Sequence, residues 1–419
     1  LGFPIGWKGK LNSKNIPNVS MSGYNQALMD SEDAVNDISK DRPWRFGYKY
    51  DVNYTHQNSG SWTILPNGNR VWQLAIECNN ALTINLLFEN YNLPEGAYIY
   101  LYDVDHTNKV GAYTAKNNRI DGLLGTELVH GDNIIIEYVE PARVKFQGTF
   151  TISSIVHGYR SLNTIQNSLA KALNSSGDCN IDVNCPLGNG WDNEINSVAM
   201  IVVNGSGICT GALINNTCND GTPYFLTANH CLGGGTGSWA FRFNWQSPPG
   251  TESCATTSNS VDPGPPYDQT ANGATTLVSS AASDFALLEI DNMTLTDAQN
   301  WNCYYAGWDA SDDPNAVTEA TGIHHPSGDV KKICRENDAP YHSNNGGAAT
   351  WYITQWEQGV TEPGSSGSPL FDQNHRIIGQ LYGGAAACAG RQRYTRARSW
   401  TRALRAGDDQ RRSRCEKIW

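Results

Sequence analysis

Three short strings carry the residues of this chain whose types could do chemistry together. They are Thr227-Ala228-Asn229-His230-Cys231, Ser283-Asp284-Phe285-Ala286-Leu287-Leu288 and Gly364-Ser365-Ser366-Gly367-Ser368-Pro369. A histidine, an aspartate and a serine are the parts of a nucleophilic acyl-transfer site. A serine hydroxyl is a poor nucleophile near neutral pH, so it needs a base in hydrogen-bond reach, and that base needs an orienting partner. The small residues around Ser366 let the backbone turn tightly and aim the N–H groups of Gly364 and Ser366 at one point, an oxyanion hole. Alone, the same string also reads as a Gly/Ser-rich loop, and His230 alone as a structural histidine. Asp284 opens an apolar run, where a carboxylate is costly without a partner. An imidazole N–H is such a partner, although most aspartates that lead strands are turn ends. The combination, at separations of 54 and 82 residues, carries the reading.

These side chains need rigid elements beneath them. Strand-sized apolar runs recur around them: Val198–Val203, Gly211-Ala212-Leu213-Ile214, Tyr224-Phe225-Leu226-Thr227, Ala240-Phe241-Arg242-Phe243, Phe285–Ile290 and Ile377-Ile378-Gly379-Gln380-Leu381. Roughly 210 residues of this kind suit a double β-barrel over 179–390. Residues 43–160 also alternate, in Val71-Trp72-Gln73-Leu74-Ala75-Ile76, Leu82-Thr83-Ile84-Asn85-Leu86-Leu87-Phe88 and Ala97-Tyr98-Ile99-Tyr100-Leu101-Tyr102, with turn signals at Pro66-Asn67-Gly68 and Pro94-Glu95-Gly96. That pattern predicts a β-sandwich or jelly roll, and the fold class is all-β. His56, His106, His130 and His157 are scattered through it and are expected to be structural or surface residues. Residues 1–42 are a polar segment without clear periodicity. Residues 161–178 are a polar connection of the kind where nicking concentrates.

The composition excludes other classes. Of 419 residues, 39% are apolar and 17% charged, which is neither a disordered nor a membrane-spanning balance. No apolar stretch approaches the ~18 residues of a membrane helix. The net charge of −11 argues against a nucleic-acid partner. It hides a break, because residues 391–419 hold nine arginines and Lys417 against Asp408, Asp409 and Glu416. No basic-plus-apolar leader follows Leu1, so any export signal is expected to be already absent. Ten of the eleven cysteines fall in residues 179–415, which points to disulfides and an oxidising compartment. The alternative is a metal site, but no CxxC pair or tight Cys/His spacing accompanies them. An odd total leaves at least one thiol unpaired or intermolecular.

Further strings join the three: Gly177-Asp178-Cys179-Asn180-Ile181-Asp182-Val183-Asn184-Cys185-Pro186, Cys209-Thr210-Gly211 and Gly322-Ile323-His324-His325-Pro326-Ser327-Gly328-Asp329. With them, residues 177–390 resemble the lysyl endopeptidase group of chymotrypsin-like serine proteases, in secreted bacterial precursor form. Residues 43–160 resemble the β-rich pro-region of such precursors more loosely. The resemblance implies a His230, Asp284, Ser366 triad, cleavage after lysine, no cofactor or metal, and secretion. Its partners are protein or peptide substrates and the intramolecular pro-domain, with no nucleic acid and no membrane. It also implies disulfides Cys179–Cys388, Cys185–Cys254 and Cys209–Cys231. Cys303–Cys334 is a further expected pair, leaving Cys78, Cys218 and Cys415. His324 and His325 match a family motif and are expected to be structural.

Two departures bear on function. Ser365 precedes the nucleophile where trypsin-type enzymes carry an aspartate that pairs with a newly freed amine. Latency is therefore expected to come from the N-terminal domain shielding or disordering the site, relieved by a cut in 161–178, with Lys171 suited to self-processing. After about Gly390 the resemblance stops, and residues 391–419 read as an atypical Arg-rich tail, from a frameshift or as a genuine basic extension. No acid occurs between Cys388 and Asp408, where the family's pocket carboxylate would come from. Glu357 and Glu362 are acids nearby in sequence. A trypsin-fold protease of other specificity, or an impaired secreted binding protein, stays open at this point.

Overall fold

The computed structural model describes residues 2–8, 16–39, 42–160, 176–249, 269–345, 348–388 and 395–398. It is all-β, with a β-sandwich followed by a chymotrypsin-like double β-barrel. The sandwich has sheets of six and five strands. Alternation places Trp72, Leu74 and Ile76 of one sheet against Ile84, Leu86 and Phe88 of the other, all fully or nearly fully buried in one core.

Each barrel is built on an eight-stranded sheet. In the first, Val198–Val203 pairs with Gly207–Leu213, which continues through Tyr224–Ala228 to Phe285–Ile290. In the second, Ala320–His324, Pro369–Asp372 and Ile377–Gly384 are consecutive neighbours. Phe225, Phe241 and Trp239 fill the first core. Trp351, Trp356 and Leu370 fill the second. A third cluster, with Leu226, Phe285, Ile323 and Phe371, lies where the barrels meet. This junction positions the site.

The structure differs from the sequence reading in three places. The polar N-terminal segment contains a helix, Gln26–Ser39, and a strand, Asn18–Ser20, parallel to Arg70–Glu77. Asn25 Oδ1 accepts from the Leu28 N–H at 3.1 Å, which caps the helix start. Its inward face shows no apolar stripe because Asp33 is buried there, accepting from Arg45 Nε at 2.8 Å and from the Tyr159 hydroxyl at 2.7 Å. Second, Trp44–Arg45 leaves the sandwich and pairs with Gly207–Leu213 of the first barrel. Third, a separate strand lies beyond the expected boundary at 390. Thr395–Arg398 pairs with both Ile377–Gly384 and Ala348–Ile353. Thr395 and Ala397 alternate into the interior, and this period of two is what an edge-to-edge insertion requires.

Candidate active site

His230 lies in the short turn Asn229–Leu232, directly after Tyr224–Ala228. That strand pairs with Phe285–Ile290 in a register that sets Ala228 opposite Phe285. The register brings Asp284 beside His230 although 54 residues separate them. Asp284 Oδ2 is 2.7 Å from His230 Nδ1, and Oδ1 accepts from the His230 backbone N–H at 2.8 Å. Asp284 has φ +49°, a left-handed conformation that turns its carboxylate back over the strand end. Gln380 Nε2 donates to the Asp284 carbonyl at 2.9 Å, tying the aspartate to the second barrel. His230 Nε2 is buried and has no hydrogen-bond partner among the described residues. Cys209–Cys231 anchors the histidine turn to Gly207–Leu213, with Cα atoms 6.5 Å apart.

Ser366 comes from the second barrel and sits at the same junction. Its carbonyl accepts from the Thr210 N–H at 2.8 Å, and Cys231 Sγ is 4.0 Å from that oxygen. Thr210 Oγ1 donates to the Gly364 carbonyl at 2.9 Å. With these carbonyls held on the far side, the N–H groups of Gly364 and Ser366 donate to no acceptor among the described residues. Gly364 has φ +93°, and a side chain there would meet Ser327 N at 2.9 Å and His325 O at 3.0 Å. Glycine is required at 364 on both counts.

Next to Ser366, Ser365 is fully buried. Its Oγ accepts from the Glu362 N–H at 3.2 Å and lies 2.8 Å from His324 Nδ1. Burial, reinforced by the Lys332 ammonium, pushes His324 down to about 3, so this imidazole is neutral. His325, also held well below the ordinary range by burial, has Nδ1 3.0 Å from the Asp329 carbonyl, and its backbone N–H donates to Thr210 Oγ1 at 3.1 Å. The sequence reading had nothing to place these histidines beside Ser366. The structure puts them in the wall behind it. At the start of the protease segment, Gly177 N–H donates to Glu362 Oε2 at 3.0 Å and Ser176 Oγ to Asp329 Oδ2 at 2.7 Å.

Cys179–Cys388 closes a span of 209 residues. Cys185 is disulfide-bonded, and its expected partner Cys254 lies outside the described residues, as do Lys171 and Cys415. The expected Cys303–Cys334 pair is incorrect, because both are free thiols. Cys303 packs against the first barrel core and Cys334 belongs to the second, so the barrel walls separate them. Cys209, His230 and Cys231 cluster closely, but the two sulfurs are bonded to each other and are not metal ligands.

Residues 173–397 match the family model for the lysyl endopeptidase C-terminal domain. Lysyl endopeptidase of Pseudomonas aeruginosa is 25% identical over 343 residues, spanning 78% of this chain and 71% of that protein. Among solved structures, an HtrA-type protease AlgW with tripeptide is 16% identical, covering 53% of this chain and 62% of its own, with TM-score 0.36. The protease Anisep from Arthrobacter nicotinovorans is 14% identical, covering 50% and 93%, with TM-score 0.35.

Proposed function

The chain belongs to the lysyl endopeptidase family of serine proteases, and from that premise we propose that it hydrolyses peptide bonds after lysine through His230, Asp284 and Ser366. One observation carries the assignment. Asp284 grips both the ring Nδ1 and the backbone N–H of His230, leaving Nε2 as the free proton acceptor at the junction where Ser366 lies. In this mechanism Ser366 Oγ attacks the scissile carbonyl while His230 Nε2 takes its proton. The N–H groups of Gly364 and Ser366 receive the oxyanion. His230 then protonates the leaving amine, and water, activated by the same nitrogen, releases the acyl group. No step calls for a cofactor.

Lysine preference comes from family membership. A second reading, a protease of other specificity, rests on the sequence: no acid occurs between Cys388 and Asp408, where the family's pocket carboxylate would come from, and an ammonium buried without a counter-charge is costly. Cleavage after Lys171 is the proposed maturation step. Export to an oxidising compartment is supported by Cys179–Cys388 and Cys209–Cys231. No helix among the described residues is long and apolar enough to cross a membrane.

Peptide amides with lysine, arginine or an apolar residue before the cut are assayed on the full chain and on Ser366→Ala. The expected outcome is lysine-selective hydrolysis that Ser366→Ala abolishes, with organophosphonate labelling lost in parallel. Activity surviving in Ser366→Ala ends the triad assignment. Equal or better cleavage after apolar residues selects the second reading. A folded wild-type chain that neither labels nor cleaves even after a cut at Lys171 is a binding protein.

A further inference from the structure

We infer that Thr210 is a positioning residue for hydrolysis, whose hydroxyl sets the oxyanion loop against the strand that leads to the catalytic base. The inference rests on the roles given to His230, Gly364 and Ser366 above. Thr210 lies in Gly207–Leu213, is fully buried, and uses every polar group it has. Its N–H donates to the Ser366 carbonyl at 2.8 Å, and its Oγ1 donates to the Gly364 carbonyl at 2.9 Å. The same Oγ1 accepts from the His325 backbone N–H at 3.1 Å, as a hydroxyl with one proton and two lone pairs can. The Thr210 carbonyl accepts from Thr227 Oγ1 at 2.8 Å. Thr210 is thereby bonded to the nucleophile loop, to the residue that follows Ala320–His324, and to the strand Tyr224–Ala228 that runs into the His230 turn. All of these partners follow Lys171 in the chain, so a cut there leaves them together.

Peptide geometry shows why this hydroxyl matters. A peptide unit is planar, so a carbonyl held on one side fixes the N–H of the same unit on the other. The Gly364 N–H shares its unit with the Pro363 carbonyl, which accepts from the Ser327 N–H at 2.6 Å. The Ser366 N–H shares its unit with the Ser365 carbonyl, which accepts from the Ser368 N–H at 3.0 Å. Between the two lies the Gly364–Ser365 unit, and its carbonyl is the one that Thr210 Oγ1 holds. Gly364, at φ +93°, has no side chain to restrict its own rotation, so the Thr210 hydroxyl supplies a restraint that glycine lacks. The loop sits directly on the two threonines, since a side chain at Gly367 would collide with Thr227 Oγ1 and with the Thr210 carbonyl. Oxyanion donors act only when pre-placed, so a restraint of this kind governs the rate of the chemical step and not the affinity for substrate.

The test measures hydrolysis of a small peptide amide by the full chain and by the same chain cut at Lys171, with rates divided by the sites that an organophosphonate titrates to completion. Thr210→Val keeps the shape and deletes the hydroxyl. It is expected to lower kcat per titrated site about 10- to 100-fold in the more active form, with KM within about twofold. Thr210→Ser, which restores the hydroxyl, is expected to stay within about threefold of wild type. A merely structural threonine would lower the thermal midpoint of Thr210→Val and leave kcat per titrated site unchanged, and that result overturns the inference, as does a loss confined to KM. Should the valine variant fail to fold, Thr227→Val removes the donor to the Thr210 carbonyl. It is expected to lower kcat per titrated site about threefold or more, and an unchanged kcat there overturns the inference. Ser366→Ala is run alongside. Hydrolysis surviving in that variant defeats the triad reading, whereas Thr210→Val matching wild type while Ser366→Ala is inactive defeats the role of Thr210 alone.

Discussion

At the residue scale, Asp284 performs two tasks with two oxygens, and a single substitution separates them from folding. Asparagine tolerates the left-handed backbone found at 284, so Asp284→Asn keeps the turn. An amide has only one acceptor oxygen. If that oxygen keeps the His230 backbone N–H, its NH₂ group faces Nδ1 and forces the proton onto Nε2. The imidazole can then no longer take the serine proton. Asp284→Asn is expected to lower kcat by roughly 10⁴ with little change in thermal midpoint. A loss under about tenfold would show that Asp284 only holds the turn. The His230–Asp284 pair was legible in the sequence because each member sits in a local string whose apolar neighbours fix its backbone. Ser365 with His324 was not, because the partners, one in a loop and one at a strand end, lie 41 residues apart and neither string signals the other.

At the element scale, Val198–Val203 shows why some of the fold could be read and some could not. All six residues are buried. Ala199, Ile201 and Val203 face the first barrel core, while Met200 and Val202 face Trp44, Leu128 and Val156 of the N-terminal domain. Its unbroken apolar run therefore marked a strand covered on both faces, but nothing in the run says by what. The helix Gln26–Ser39 escaped because its inward face holds Asp33. The strand Lys332–Glu336 carries a further titration. Burial and the adjacent Glu357 push Glu336 up to about 7, with Glu357 and Asp338 within a few ångströms. Between the ordinary carboxylate range and pH 7 the folded chain holds a proton that the unfolded chain has released. Stability therefore falls as pH rises through that window, and the penalty is complete above it. Glu336→Gln is expected to raise the urea midpoint at pH 8, by an equivalent of about 1–2 kcal/mol after screening at exposed Glu357, and to leave it nearly unchanged at pH 4. An equal shift at both pH values would assign the gain to packing instead.

At the scale of the whole molecule, sandwich and barrels share an interface built like a core. Trp44, Phe46, Leu128 and Val156 form one apolar cluster with Met200, Val202, Ile208 and Trp245. Polar contacts edge it. Asn85 Nδ2 donates to the Gly205 carbonyl at 2.9 Å, and Asn272 Nδ2 to the Gly125 carbonyl at 2.8 Å. Within it, the Glu127 carboxylate pairs with Arg242, both nearly inaccessible to water, and the guanidinium stacks on Trp245 at 4.8 Å. Leu128 N–H also donates to this carboxylate at 3.2 Å. Two buried ions are costly unless paired, and deleting one removes the other's counter-charge, so Glu127→Ala is expected to cost ~3–5 kcal/mol in the full chain. Glu127→Leu combined with Arg242→Met removes both charges and is expected to recover most of that loss. Because the cluster spans both domains, the loss should appear as one shifted cooperative transition in tryptophan fluorescence, with barrel and sandwich unfolding together. Two separated transitions in the wild-type chain would mean that the domains stand independently.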